Sequence, residues 1–94
     1  MHFAIQCLDK DGHGDIRAEN RPAHIDYLKA NERRVLAAGP LLGEGGRQPI
    51  GSLLIMEFDD HAAVQAFVAA DPYTEAGLFE EVKIWPWRKV FPQE

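Results

Sequence analysis

Cysteine is nearly missing from this sequence: the chain has one, Cys7. A disulfide within the chain is therefore excluded, and a thiolate metal cluster lacks its ligands. The usage suits a reducing, cytoplasmic setting. Cationic residues are also in deficit. Ten lysines and arginines stand against fifteen aspartates and glutamates, for a formal net charge of -5. The basic residues are scattered, with Arg33-Arg34 and Arg88-Lys89 the only adjacent pairs. Phosphate binding needs a basic footprint, so nucleic acid is not an expected partner. No apolar run approaches the length of a membrane span. The stretch Phe3 to Leu8 is short, is interrupted by Gln6 and has no basic segment before it, so it is not expected to be a signal peptide. A glycine-rich phosphate loop is absent too: Gly43, Gly45 and Gly46 lack the lysine and the following helix that such a loop requires. No pair among the four histidines has metal-ligand spacing. Neither a metal nor another cofactor is expected.

What remains is a chain of 94 residues, 46% hydrophobic and 27% charged, which predicts one globular domain over residues 1–94. A domain this small has little stability in reserve and gains from burying a face against a partner. Phe3, Ile5 and Cys7 alternate with Ala4, Gln6 and Leu8, which is strand periodicity. The run from Asp9 to Asp15 follows, rich in glycine and aspartate, and reads as a charged loop. It carries part of a calcium-loop pattern: Asp9, Asp11, Gly14 and Ile16 fall at the first, third, sixth and eighth positions. The pattern then fails, because His13 takes the fifth position and Asn20 the twelfth, where a bidentate glutamate belongs.

Pro22 suits the first position of a helix, and the spacing predicts one over residues 22–38. Its stripe is Ile25, Leu28, Glu32, Val35 and Leu36, and Gly39-Pro40 ends it. Residues 39–44 read as a second strand and 45–49 as a hairpin loop. Gly51 to Phe58 is a third strand, apolar on both faces and therefore central. Asp59 or Asp60 caps a second helix over 61–70, with Val64, Phe67 and Val68 buried. A helical turn runs from Pro72 to Gly77. The last strand spans 79–90, with Pro86 marking an edge or a bulge. The order β-α-β-β-α-β predicts the α+β, ferredoxin-like arrangement: a four-stranded antiparallel sheet with both helices on one face. The other face carries apolar residues of the first and third strands together with Trp85 and Trp87. It is expected to be covered by a second copy of the chain through a two-fold axis.

The stretch from Arg21 to Leu28, the block Gly39-Pro40-Leu41-Leu42, the block Gly51 to Ile55, and Asp71-Pro72-Tyr73 with Ala76-Gly77-Leu78 resemble the YCII-related (YciI-like) family of the dimeric α+β barrel superfamily. The resemblance covers nearly the whole chain. It implies a homodimer whose sheets pack face to face, and a site built from a histidine early in the first helix and an aspartate before proline and an aromatic residue. These are His24 and Asp71. One relative is a dehydrochlorinase acting on a chlorinated hydroxyhydroquinone, and the wider superfamily includes muconolactone isomerase. The resemblance thus implies proton transfer on a small organic molecule, cyclic or anionic, in lyase- or isomerase-type chemistry.

A His–Asp pair suits that chemistry. The carboxylate accepts one ring N–H and fixes the tautomer, leaving the other nitrogen to take a proton near neutral pH. No serine or second cysteine is placed as a nucleophile, so elimination or isomerisation is favoured over acyl transfer. Each residue also has a plainer reading. Asp71 before Pro72 is an ordinary helix cap, worth about 1 kcal/mol. His24 lies at the border of a buried stripe. Arg21 either grips a substrate carboxylate or stays a solvated charge. Tyr73 lines the pocket or packs under the second helix, and Ser52 offers a hydroxyl at the start of its strand. His13 and His61 read as surface residues, His2 at the start of the first strand reaches either a pocket or solvent, and Cys7 reads as a small buried hydrophobe. The leading expectation is a small-molecule enzyme using His24 and Asp71 as an acid/base pair, with Arg21, Tyr73 and Ser52 as substrate contacts, in a pocket at the sheet face of a homodimer. The alternative is a non-catalytic ligand-binding or sensing domain using the same pocket.

Overall fold

The computed structural model describes residues 1–93. Its elements are β1 (His2–Asp9), α1 (Gly14–Ala30), a 3-10 turn (Glu32–Arg34), β2 (Val35–Leu42), β3 (Pro49–Glu57), α2 (His61–Ala69), α3 (Pro72–Glu75) and β4 (Phe79–Trp87). The four strands form one sheet in the order β2-β3-β1-β4, and every neighbouring pair is antiparallel. This is the ferredoxin-like α+β arrangement expected from the order of elements. β3 and β1 are central. β4 is an edge strand, where Pro86 deprives no second neighbour of a hydrogen bond.

Strand alternation sorts side chains by face. Phe3, Ile5 and Cys7 of β1 and Leu54 and Met56 of β3 form a buried cluster with Phe58 and with Val64 and Phe67 of α2. Asp60 caps α2, its carboxylate accepting from the Ala63 N–H at 2.8 Å. On the opposite face, Ala4 lies between Ile55 and Trp85, and Gln6 between Leu53 and Lys83. There Trp85 keeps 54% of its surface exposed, and no element of the chain covers the tryptophan.

Two expectations are corrected. The first helix begins at Gly14, eight residues before Pro22, and ends at Ala30. Pro22 therefore lies in the helix interior and deprives the Ala18 carbonyl of its usual donor. Both residues are exposed, so water can satisfy that carbonyl. The helix stops because Asn31 turns back on it. The Asn31 side chain donates to the Tyr27 carbonyl at 2.8 Å, and its backbone N–H bonds the Leu28 carbonyl. Val35 and Leu36 consequently belong to β2 rather than to the helical stripe, and Glu32 is exposed on the 3-10 turn. The loop between β1 and α1 also shrinks, to residues 10–13. The calcium-loop pattern has no counterpart there, since Asp9 ends β1 and Ile16 is helical.

Candidate functional site

The buried face of α1 is polar in its first half. Arg17, Arg21, His24 and Leu28 recur at helical spacing, and all four border one cavity of about 420 Å³. The cavity lies between α1 and the helix-covered side of the sheet. Pro40 of β2, Ser52 and Leu54 of β3, and Gln48 and Pro49 of the hairpin complete its walls with Tyr73 from α3. The pocket at the sheet is thus on the side that carries the helices, away from the open face.

His24 is 6% exposed and Asp71 is 3% exposed. His24 Nδ1 lies 2.9 Å from Asp71 Oδ1. An ionised carboxylate only accepts, so Nδ1 is the donor, and in the neutral ring Nε2 carries the lone pair. Nε2 makes no hydrogen bond within the described residues, and His24 lines the cavity. The same Asp71 oxygen accepts the Tyr73 backbone N–H at 2.9 Å, capping α3. One oxygen thus serves both as helix cap and as the partner of the histidine ring.

Tyr73 lies against the histidine, with ring centroids 4.0 Å apart and planes inclined by 16°. Burial pushes the phenol's pKa upward, which the nearby positive charges of Arg17 and Arg21 oppose and Asp71 and Asp9 reinforce. Arg21 is exposed, on the cavity lining. Ser52 is buried, and its hydroxyl oxygen accepts from Arg17 Nη2 at 2.9 Å rather than from the histidine.

Arg17 and Asp9 were not legible as site residues. Arg17 is 8% exposed, and its Nε and Nη2 grip Asp9 at 2.7 and 2.9 Å in a two-pronged pair. Burial works against the guanidinium charge, but the hydrogen bonds and charge of Asp9 outweigh it and raise the arginine's pKa. The guanidinium carbon also sits 4.7 Å above the Tyr73 ring centroid. The available signal was the spacing of Arg17, Arg21 and His24, visible once the helix is extended back to Gly14. Cys7, beside Ser52 in the sheet, is pushed up to about 12, chiefly by burial and then by Asp71 and Asp9, so its thiol stays protonated and inert. Among the described residues, no three His, Cys, Asp or Glu side chains converge as metal ligands.

Residues 1–88 match the model of the YCII-related domain. Protein YciI of Escherichia coli O6:H1 is 38% identical over 98 residues, covering 97% of this chain and 100% of the relative. An uncharacterized protein of Haemophilus influenzae is 33% identical over the same spans. Among solved structures, the 5-chloro-2-hydroxyhydroquinone dehydrochlorinase TftG from Burkholderia phenoliruptrix, in complex with 2,5-dihydroxybenzoquinone, is similar with a TM-score of 0.91 and 36% identity over 94% of each chain. SnoaB, a cofactor-independent oxygenase from Streptomyces nogalater, has a TM-score of 0.56 at 15% identity, covering 98% of this chain and 96% of its own. That second likeness is one of fold alone. No helix among the described residues is long and apolar enough to cross a membrane.

Proposed function

Because the chain belongs to the YCII-related family, we propose that its cavity performs acid/base proton transfer on a small hydroxylated ring compound, with His24 as the base and Asp71 as its orienting partner. The observation that carries this reading is the buried 2.9 Å contact between His24 and Asp71 beside a cavity into which Nε2 is left unbonded. Nε2 takes a proton from the substrate, and the Asp71 carboxylate meets the charge of the resulting imidazolium. On a chlorinated hydroxyhydroquinone, transfer of a hydroxyl proton to the chlorine-bearing carbon gives the tetrahedral keto tautomer, and removal of a second hydroxyl proton then expels chloride from that carbon and leaves a hydroxyquinone. The balance is loss of one proton and one chloride, with no oxidant or reductant. The 36% identity to a dehydrochlorinase supports this class of reaction. In the same reading Tyr73 packs against the substrate side of the histidine, Ser52 holds the neighbouring arginine, and Arg21 guides an anionic substrate at the mouth.

The active unit is a homodimer closed over the open sheet face, in a cytoplasmic setting. Exposed Leu53, Trp85 and Trp87 on one side of the molecule support the first, and the single cysteine the second. The test is anaerobic chloride release from 5-chloro-2-hydroxyhydroquinone, together with exchange of the ring protons of 2,5-dihydroxybenzoquinone into deuterated water, followed by proton NMR. Wild type should accelerate at least one of these, and His24→Ala should slow it by about 10²-fold or more. Ring compounds that bind with neither reaction accelerated would sink the catalytic reading in favour of a binding or sensing domain.

A further inference from the structure

The cavity walls contain two arginines and a histidine but no aspartate or glutamate. Asp9 and Asp71 stand behind this first layer, each engaged with a residue of the wall. Arg17 is held unusually firmly for a cation. Of its five N–H groups, Nε and Nη2 supply the three hydrogen bonds, two to Asp9 and one to Ser52. Nη1 takes no part in these three bonds, and the guanidinium borders the cavity beside Tyr73. Arg21, one turn along α1, adds a charge at the mouth with no ion pair among the described residues.

On the cavity reading above, we infer that Arg17 is the specificity-determining residue, its cavity-lining guanidinium binding an anionic oxygen of the substrate, so that the cavity takes ring compounds in their ionised form. Asp9 and Ser52 are its positioning residues: they fix the plane of the guanidinium and leave one edge for the ligand. Arg17 and His24 are two turns apart on α1, about 10 Å along the axis. The imidazole and the guanidinium both lie against Tyr73, 4.0 and 4.7 Å from its ring centre, so a small ring held at one is within reach of the other. The anchor therefore holds one side of the ring while the opposite side faces Nε2.

Calorimetry with two probes on the same ring frame tests the inference. They are 2,5-dihydroxybenzoquinone, a vinylogous acid ionised at neutral pH, and hydroquinone, which is neutral there. Wild type should bind the ionised ring at least about tenfold more tightly. Arg17→Lys keeps the charge and loses the planar fork; it should lower affinity for the ionised ring about tenfold while hydroquinone changes less than about twofold. Since that variant leaves Asp9 imperfectly paired, the double variant Asp9→Asn with Arg17→Gln removes both charges together and should lose the same preference with a native circular dichroism spectrum. Equal affinity of wild type for the two probes, no binding of the ionised ring at millimolar concentration, or unchanged binding in both variants overturns the inference. Its fate is separate from that of the catalytic reading. A preference for the ionised ring without chloride release or proton exchange leaves the anion site standing and removes the proton transfer.

Discussion

One carboxylate oxygen illustrates how much a single residue carries here. Asp71 Oδ1 accepts both from the Tyr73 backbone and from His24 Nδ1, each at 2.9 Å, in a nearly sealed environment. A plain helix cap and a catalytic partner make different demands, so substitutions can separate them. Asp71→Ala removes the cap, worth about 1 kcal/mol, and strands a buried imidazole N–H at a further cost of about 1–3 kcal/mol. A total loss of about 2–4 kcal/mol is expected in urea unfolding. Asp71→Asn keeps an oxygen that accepts both bonds, so its stability should fall by less than about 1 kcal/mol. Its turnover should still fall by about tenfold or more, because the neutral amide no longer offsets the imidazolium charge. An alanine variant as stable as wild type would show that the buried contact contributes nothing to the fold. An asparagine variant with full activity would reduce Asp71 to a cap.

At the scale of elements, β1 and β3 approach closely at Gly51. A Cβ built on Gly51 would overlap the Cys7 carbonyl oxygen, and Leu41 of β2 closes the other side. Backbone cannot yield as a flexible side chain does, so Gly51→Ala should cost about 1–3 kcal/mol by urea unfolding. It should also disturb Ser52, the next residue and the partner of Arg17. Stability and ligand affinity both unchanged would mean that the strands separate freely at this point. These central strands were the most legible part of the sequence. Alternating Phe3, Ile5 and Cys7, and the two-sided apolar run of β3, say directly which faces are buried. The first helix was legible in kind but displaced, for a physical reason: the buried residues of its face are Arg17 and His24, so apolar periodicity starts too late. Pro22, which ordinarily opens a helix, then stood as a false start. His24 and Asp71 could be paired because the family pattern marks both. Arg17 and Asp9 could not, since a two-pronged contact across eight residues requires the helix to begin before Pro22. Ser52 was expected to face a substrate, and its hydroxyl is taken up with the arginine instead.

At the scale of the whole molecule, the two faces of the sheet have different tasks. The helix-covered face holds the core and the cavity, while Ala4, Leu53, Ile55 and Trp85 line up across three strands on the other. A lone exposed tryptophan is unremarkable, but a contiguous apolar sheet face on a small domain is a surface that water disfavours. If a second copy covers it, the interface is isologous, and the same residue meets its symmetry-related neighbourhood on both sides. A charge placed near the middle is then buried twice, once from each chain. Trp85→Glu should therefore shift the protein from dimer to monomer in light scattering at micromolar concentration. It should leave the monomer folded, because Trp85 contributes no side chain to the buried core. The cavity lies on the opposite side of the sheet, so a folded Trp85→Glu monomer should still bind an ionised ring compound, with any loss of affinity measuring how far the partner stiffens the sheet beneath Ser52. Wild type that is already monomeric at that concentration, or a Trp85→Glu variant that remains dimeric, would place the contact between copies elsewhere on the molecule and leave the open face without an occupant.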